Sequence, residues 1–235
     1  MEESIKLFKQ YYQKFDSNIP AIDEKYWHTF RVVGYAKRIA TSLGLSESDT
    51  ELALKCALFH DIARFKQWTE YNTYIDSKSF DHGDEGANIL KEIGIEDEII
   101  LESTKYHNKY KLPDNIDDRT RLFANITRDA DKIDIMDKQG LKCREKEFIL
   151  SDKVLNSFRH HELIKNDAMD TSISIFNMLR QMAFIFDMNY TESLKIVKNK
   201  NIINLKCDEI LSKFDEDSIK EIKNICNKYI EERIN

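Results

Sequence analysis

Glycine and proline are scarce in this chain, and their scarcity restricts the possible folds more than any other feature of the sequence. The 235 residues include 6 Gly and 2 Pro, too few turn-forming residues for a sandwich or barrel of many short strands. An apolar fraction of 41% argues against disorder. No apolar run approaches the roughly 18 residues that a transmembrane helix needs. The sequence therefore predicts an all-α globular protein without a membrane partner.

Charge and cysteine usage narrow the classes of ligand and compartment. The formal net charge of -6 argues against broad, charge-driven binding to nucleic acid and favours a small ligand. The first residues are charged rather than apolar and do not match a secretory signal, so we expect a cytoplasmic protein. The four cysteines are far apart and form no C-x-x-C pair, which predicts reduced core thiols rather than a zinc site or disulfides.

Apolar residues recur every three or four positions along much of the chain, which is the spacing of a buried helix face. This period predicts helices over 26–43, from Ser46 to about 60, and over 82–93, 96–107, about 119–136, 172–187 and 216–233. Residues 66–81 lose the period and are predicted to form an ordered loop. We expect one all-α domain over residues 1–235. Within it, residues 20–140 would form the chemical core, and residues 141–235 a helical extension that packs on it.

Four histidines and one aspartate occur singly on or beside successive predicted helices. In chain order they are His28, His60, His82, His107 and Asp131, at intervals of 32, 22, 25 and 24 residues. A buried imidazole or carboxylate is costly unless it is paired or binds a metal, and helical bundles build metal sites from facing helices. Any one of these histidines alone is better explained as an ordinary core or surface histidine. The set together predicts a metal site.

The motifs around these residues resemble the HD-domain metallohydrolase superfamily, in particular a subgroup with the order H…HD…H…H…D. The motifs are W-H-T-F-R at His28, L-F-H-D-I-A-R-F at His60 and Asp61, D-H-G-D-E-G-A at His82, K-Y-H-N-K at His107 and R-D-A-D-K-I-D at Asp131. Asp131 is the expected ligand of the last motif because superfamily members that hydrolyse deoxynucleoside triphosphates or guanosine tetraphosphate also carry an Asp directly before a basic residue. Asp129 and Asp134 would support it.

The resemblance covers residues 26–137 and implies an HD-type bundle that binds one or two divalent ions. Imidazole and carboxylate ligands without thiolate favour Mn²⁺, Fe²⁺, Co²⁺ or Mg²⁺. The implied ligands of the first ion are His28, His60, Asp61 and Asp131. His82 and His107 would bind a second ion, with Asp61 shared between the two, or would contact substrate if one ion is bound. The tail after residue 140 matches no motif.

The resemblance also implies a metal-dependent phosphohydrolase that cleaves a phosphate ester or anhydride with metal-activated water. The expected substrate is a nucleotide or another small phosphorylated metabolite, and the sequence predicts no oligomeric state. The cations expected to bind its phosphate oxygens are Arg31, Arg64, Lys109 and Lys132. Asp61, Lys132 and Arg31 are the residues expected to act in catalysis.

Two alternative functions remain open at the level of sequence. A few superfamily members with the same ligand order hold a mixed-valence di-iron centre and oxidise their substrate with O₂, so a di-iron oxygenase is the first alternative. A non-catalytic ligand-binding domain is the second, and it is disfavoured because no ligand position is substituted.

Overall fold

The computed structural model describes residues 1–138, 142–165, 174–214 and 217–235, and they are mostly α-helical, without any β-strand in these ranges. The α-helices are α1 (Glu2–Tyr12), α2 (Pro20–Ser42), α3 (Glu47–Phe59), α4 (Ala63–Tyr71), α5 (His82–Glu92), α6 (Glu98–Tyr106), α7 (Asp118–Asp137), α8 (Asp152–Arg159), α9 (Ser174–Met182), α10 (Thr191–Asn199), α11 (Ile202–Leu211) and α12 (Asp217–Ile234). Short 3₁₀ helices cover Asp76–Lys78 and Ala183–Asp187. The all-α prediction is confirmed. Over the described ranges, no helix combines the length and the apolar character that crossing a membrane requires.

The chain divides into two compact units, Met1–Asp131 and Lys132–Asn235. In the first unit α2 packs against α3 and α4, α3 against α6, and α5 against α4 and α6. In the second unit α12 packs against α8, α10 and α11. The division lies a few residues before the core boundary expected near residue 140. A single domain over the whole chain stays a prediction.

The predicted C-terminal helices are present wherever the structure describes the chain. α9 and the 3₁₀ helix after it cover residues 174–187, and α12 covers the second predicted stretch from residue 217. Residues 172, 173 and 216, which the prediction included, lie outside the described residues. The four cysteines are buried and form no disulfide, as expected of core thiols.

Short polar side chains determine where several helices of the first unit begin. The side chains of Ser46, Asp81 and Asp97 each accept hydrogen bonds from backbone N–H groups two or three residues later. These contacts satisfy N–H groups that have no partner inside the helix. The Asp81 cap starts α5 at His82, which places this histidine at the end of a helix, as the sequence predicts.

The loop predicted over residues 66–81 is wrong in its first part, because α4 continues to Tyr71. The helix has a buried face that includes the polar side chain of Gln67, and this polar residue at a buried position obscures the apolar period. Asn72 ends α4 in the left-handed region, with φ of 52°, a conformation that asparagine adopts more readily than most residues. Beyond it, only Asp76–Lys78 is helical before α5.

Two glycines allow α5 to approach α6 closely. A Cβ atom at Gly83 would lie 2.6 Å from the carbonyl oxygen of Lys105, and one at Gly86 would lie 2.8 Å from a threonine methyl carbon on α6. Atoms of a packed interior do not approach so closely, so a larger residue at either position would push the helices apart. Since α5 begins at His82 and α6 ends immediately before His107, this approach brings the two histidines together.

Candidate metal centre

The six residues predicted as metal ligands lie together in the first unit, although they come from five helices or helix ends. His28 lies inside α2, His60 and Asp61 follow α3, His82 begins α5, His107 follows α6, and Asp131 lies inside α7. All are at most 5% exposed except the Asp131 side chain, at 18%. The structure therefore brings the whole predicted set into one buried cluster.

His28, His60 and Asp131 form one part of this cluster, which we name the first subsite. Nε2 of His60 lies 3.3 Å from Nε2 of His28. Oδ1 of Asp131 lies 3.2 Å from Nε2 of His28 and 3.7 Å from Nε2 of His60. Nδ1 of His60 lies 2.8 Å from the carbonyl oxygen of Ala57. Because a carbonyl only accepts hydrogen bonds, Nδ1 carries the proton and Nε2 directs a lone pair into the subsite.

His82 and His107 form the other part, which we name the second subsite. Their Nε2 atoms lie 3.1 Å apart. Nδ1 of His107 donates to the carbonyl oxygen of Thr104 at 2.6 Å, and Nδ1 of His82 lies 2.6 Å from Oδ2 of Asp76. Burial lowers the pKa of His82 to about 4, so its ring is neutral at pH 7. In each ring the outer nitrogen therefore donates, and Nε2 directs a lone pair inward.

Asp61 lies between the two subsites and presents one oxygen to each. Its Oδ2 is 3.4 Å from Nε2 of His28 and 3.6 Å from Nε2 of His60. Its Oδ1 is 3.5 Å from Nε2 of His82 and 3.4 Å from Nε2 of His107. A carboxylate in this position can bridge two cations.

The arrangement fits one or two divalent ions. Lone pairs from several Nε2 atoms and carboxylate oxygens converge, and Oδ1 of Asp131 is buried without a hydrogen-bond donor among the described residues. One set of ligand atoms within 4.8 Å of one another comes from His28, His60 and Asp131, and a second from His60, Asp61 and His107. Acceptors that face acceptors in a buried site repel unless a cation lies between them. The neutral imidazoles and carboxylates could supply the ligands that such a cation needs.

Lys25 belongs to the site, although the sequence analysis did not select it. Its Nζ lies 2.6 Å from Oδ2 of Asp61, and its side chain is 14% exposed. Burial acts to raise the pKa of Asp61, but the neighbouring Lys25, His60 and Arg64 outweigh it and hold the pKa well below its usual range. Asp61 is therefore an anion at neutral pH. Lys25 precedes His28 by three residues, and this helical spacing on one face was the signal available in the sequence.

A network of polar side chains between α4 and α5 orients His82. Asp76, which accepts from His82, also accepts from Arg64 at 3.1 Å and from the buried amide of Gln67 at 3.0 Å. Asn108 donates to Oδ2 of Asp76 at 3.2 Å. Burial acts to raise the pKa of Asp76, but the hydrogen bonds from His82 and Gln67 and the charge of Arg64 outweigh it and hold the pKa below its usual range. Neither Asp76 nor Gln67 was predicted, since both lie in the stretch that lacks an apolar period.

Arg128 stabilises the backbone at the end of α6, where His107 lies. Its buried guanidinium donates to the carbonyl oxygens of Tyr106 and His107, at 3.2 Å each. Carbonyl groups at the end of a helix lack partners within the helix and carry partial negative charge, so an arginine there stabilises the helix end. Arg128 lies on α7 one turn before Asp131 and thereby connects the ends of the two subsites. The sequence analysis missed it because its partners are backbone atoms distant in the chain.

Three of the cations predicted to bind phosphate are paired with carboxylates. Arg31 Nη2 lies 2.9 Å from Oε1 of Glu24, and its side chain is 41% exposed. Lys109 Nζ lies 2.6 Å from Asp81 and 3.0 Å from Asp84. Arg64 is the member of this set that contacts a proposed metal ligand, because its Nε lies 3.4 Å from Oδ1 of Asp61.

Lys132 lies in the second unit by its place in the chain. Its Nζ contacts both the carboxylate and the backbone carbonyl oxygen of Asp187. Asp129 and Asp134, which were expected to support the ligand on α7, are buried. The roles proposed for these residues stay predictions.

Comparison with known proteins agrees with the motifs. Residues 26–138 match the family model described as HD domain. A curated relative from Halalkalibacterium halodurans, "Bis(5'-nucleosyl)-tetraphosphatase, symmetrical", is 34% identical over 97 residues, which cover 36% of this chain and 50% of the relative. The chain thus spans about half the length of this relative, and no solved structure matches it. The matched segment, nearly half of the chain, carries the five residues of the two subsites as well as Asp61. Residues 26–138 are therefore similar to an HD domain, and the resemblance in the motifs is confirmed.

Proposed function

We propose that this chain is a metal-dependent phosphohydrolase that acts at the two subsites. The observation that carries the proposal is the position of Asp61, with one carboxylate oxygen facing the Nε2 atoms of His28 and His60 and the other facing those of His82 and His107. Divalent ions held there would acidify a water molecule and withdraw charge from phosphoryl oxygens, which is what hydrolysis of a phosphate ester or anhydride requires.

In this proposal the residues of the chain orient the ligands and keep them in the correct protonation state. The proposed ligands of the first ion are His28, His60, Asp61 and Asp131, and those of the second are His82, His107 and Asp61. Backbone carbonyl groups hold the Nδ1 protons of His60 and His107. Asp76 does the same for His82. These outer contacts keep each Nε2 free to bind a cation at neutral pH.

We propose a small nucleotide as substrate. The support comes from the relative in Halalkalibacterium halodurans, which is named as a bis(5'-nucleosyl)-tetraphosphatase and shares 34% identity over 97 residues. A polyphosphate chain also suits the site, because it carries several negative charges toward a region that would hold divalent cations. Dinucleoside tetraphosphates are therefore the first substrates to assay, followed by mononucleotides and other small phosphorylated metabolites.

The test is phosphate or nucleotide release by purified protein loaded with Mn²⁺, Fe²⁺ or Co²⁺. We expect metal-dependent hydrolysis that Asp61→Asn abolishes and Lys66→Met leaves unchanged, since Lys66 pairs with Glu85 at 2.6 Å outside the two subsites. O₂ uptake by the iron-loaded protein without phosphate release would contradict the proposal and favour the di-iron oxygenase. Metal binding without either reaction would contradict it in favour of a binding domain.

A further inference from the structure

The side chain of Lys25 is partly buried, at 14% exposed, and its ammonium group has one acceptor. Its Nζ lies 2.6 Å from Oδ2 of Asp61, and the face of the Tyr74 ring lies 5.4 Å away. Among the described residues, no other side chain or carbonyl group accepts a hydrogen bond from this ammonium. Oδ2 is also the oxygen that faces His28 and His60. Lys25 therefore depends on the same oxygen that a cation in the first subsite would use.

The charges of the site leave Lys25 without an anion once that oxygen binds a cation. The carboxylates of Asp61 and Asp131 balance one divalent ion, because the imidazoles are neutral ligands. Arg64 is balanced by Asp76, whose Oδ1 lies 3.1 Å from its Nη1. The charge of Lys25 remains, and a second divalent ion would add to it. A poorly solvated positive charge without a partner is costly, so the loaded site requires an anion from outside the chain.

The ring of Tyr74 lies close to both cations that contact Asp61, Lys25 and Arg64. Its ring lies 5.4 Å from Nζ of Lys25 and 5.6 Å from Cζ of Arg64. Its hydroxyl donates to the carbonyl oxygen of Ala21 at 2.7 Å, which fixes the ring against α2. A cation placed against an aromatic face is stabilised there without an anion. Lys25 can therefore exchange one acceptor for another without leaving its position beside the ring.

We propose that Lys25 is a substrate-binding residue, whose ammonium donates to a phosphoryl oxygen of the bound substrate once metal ions engage Asp61. This inference rests on the proposed function and deepens it, because it assigns the phosphate group of the substrate to the side of the site formed by Lys25 and Tyr74. No covalent step is involved. The expected ligand chemistry is a phosphate dianion or a terminal phosphoryl group.

The test is binding of inorganic phosphate, measured by isothermal titration calorimetry on Mn²⁺-loaded and metal-free protein. In the loaded protein, Lys25→Met should weaken phosphate binding by about 10- to 100-fold, because a charge-assisted hydrogen bond is lost. Lys25→Arg should stay within about threefold of wild type, since it keeps the charge. In metal-free protein, where Asp61 engages Lys25, phosphate should bind weakly and equally in all variants. Lys66→Met is the matched control, with an ion pair of the same length.

Two results would overturn the inference. Wild-type phosphate affinity in loaded Lys25→Met would show that no phosphate contacts Lys25. Loss of Mn²⁺ in parallel with phosphate would show that Lys25 only supports Asp61. Lys25→Gln gives the same comparison if the methionine variant does not fold. Phosphate binding that depends on Lys25, in a protein that hydrolyses no phosphorylated compound, would refute the proposed reaction but retain the binding role. Hydrolysis and phosphate binding that are both unaffected by Lys25→Met would refute the binding role of Lys25 but retain the proposed reaction.

Discussion

Buried polar groups are arranged in opposite ways in the two units. In the second unit, Nζ of the buried Lys206 donates to Oε1 of Gln181 at 2.8 Å, and Lys132 contacts Asp187, so each donor has an acceptor. In the first unit, Nε2 of His82 and of His107 are acceptors 3.1 Å apart. Oδ1 of Asp61, a third acceptor, lies 3.5 Å from the first and 3.4 Å from the second. In these two pairs the second unit supplies its own acceptors, whereas the facing acceptors of the first unit would be stabilised by a cation. A bound metal should therefore stabilise the first unit in particular.

The largest effect is expected from Asp61→Asn, because this change removes the anionic oxygen shared by both subsites. The variant should lose tight Mn²⁺ binding, and kcat should fall by at least about 10³-fold. Wild-type protein should gain about 4 kcal/mol of stability when Mn²⁺ is present at about a thousand times its Kd. Asp61→Asn should gain almost none. Metal analysis and thermal unfolding with and without Mn²⁺ measure both quantities.

Asp208→Asn in the second unit is the control for this prediction. Asp208 pairs with Lys223 at 2.7 Å and is 59% exposed, so its loss should change neither metal content nor turnover. If Asp61→Asn were still stabilised by Mn²⁺, the idea that the facing acceptors around Asp61 bind the metal would be refuted.

His82→Ala separates the two subsites. It removes one Nε2 from the second subsite and leaves the first subsite intact, so the Mn²⁺ content should fall from about two equivalents to about one. Asp131→Ala, the matched change at the first subsite, should abolish both tight metal binding and turnover, because a carboxylate that neutralises the ion is lost. Metal titration followed by elemental analysis gives the stoichiometry. An unchanged count in His82→Ala would place this residue outside the coordination sphere.

Close packing between α5 and α6 should be sensitive to a single methyl group. In Gly83→Ala the new Cβ would lie 2.5 Å from Oδ1 of Asn108 and 2.6 Å from the carbonyl oxygen of Lys105. We expect a loss of about 1–3 kcal/mol in the free energy of unfolding, with weaker metal binding at the second subsite. Gly34→Ala on α2 is the control, since nothing lies within 4 Å of the added carbon. It should stabilise the protein by about 0.5–1 kcal/mol. Equal effects of the two changes in urea unfolding would refute the packing argument.

The sequence predicted which residues cluster in the first unit, and their role as metal ligands stays a prediction. The residues that contact these proposed ligands were not predictable. Each ligand lies in a local motif at a helix position that its neighbours define, as with the Asp81 cap directly before His82. Lys25 and Arg31 lie three residues before and after His28, and spacing alone does not distinguish them. The structure shows that Lys25 contacts Asp61, whereas Arg31 pairs with Glu24. Which of the two cations contacts Asp61 depends on packing between helices that are distant in sequence.

The presence of a helix was predictable where the apolar period is strong. The predicted helix boundaries were wrong where a polar residue is buried or where a proline begins the helix. The first long helix begins at Pro20 rather than at residue 26, because a proline in the first turn needs no N–H partner and leaves no apolar signal. α4 was missed for the related reason that Gln67, a polar residue, occupies its buried face. The side-chain amide nitrogen of Gln67 donates to acceptors on residues 9 to 13 positions away. A local period does not report such contacts.

Lys206 should give the second unit a pH dependence that the first unit does not share. Burial lowers its pKa to about 8, although Asp137 acts in the opposite direction. Between pH 8 and the usual lysine pKa near 10.4, Lys206 binds more protons in the unfolded chain than in the folded chain, so its own contribution to stability should rise with pH. The rise should be at most about 1.4 kcal/mol per pH unit. Burial raises the pKa of Cys207 and Cys226, which acts in the opposite direction over the same pH range. The contribution of Lys206 is therefore measured as the difference in slope between wild type and Lys206→Met in chemical unfolding at pH 8, 9 and 10. The same slope in both proteins would mean that Lys206 stays protonated in the fold.

The smallest effect is expected from Lys132→Met. Its ammonium already contacts Asp187, and the two side chains are 12% and 31% exposed, so the loss of the pair should cost about 1 kcal/mol of stability. Metal content should not change, because an ammonium does not bind a metal ion. kcat/KM should change by less than about threefold, or about 0.6 kcal/mol, if Asp187 is its main partner. Asp187→Asn is the matched change and should cost a similar amount of stability. A tenfold or greater loss of kcat/KM in Lys132→Met, with metal content intact and no such loss in Asp187→Asn, would mean that Lys132 exchanges Asp187 for a phosphate oxygen. Lys132 would then resemble Lys25, and the contrast drawn between the two units would not hold for Lys132.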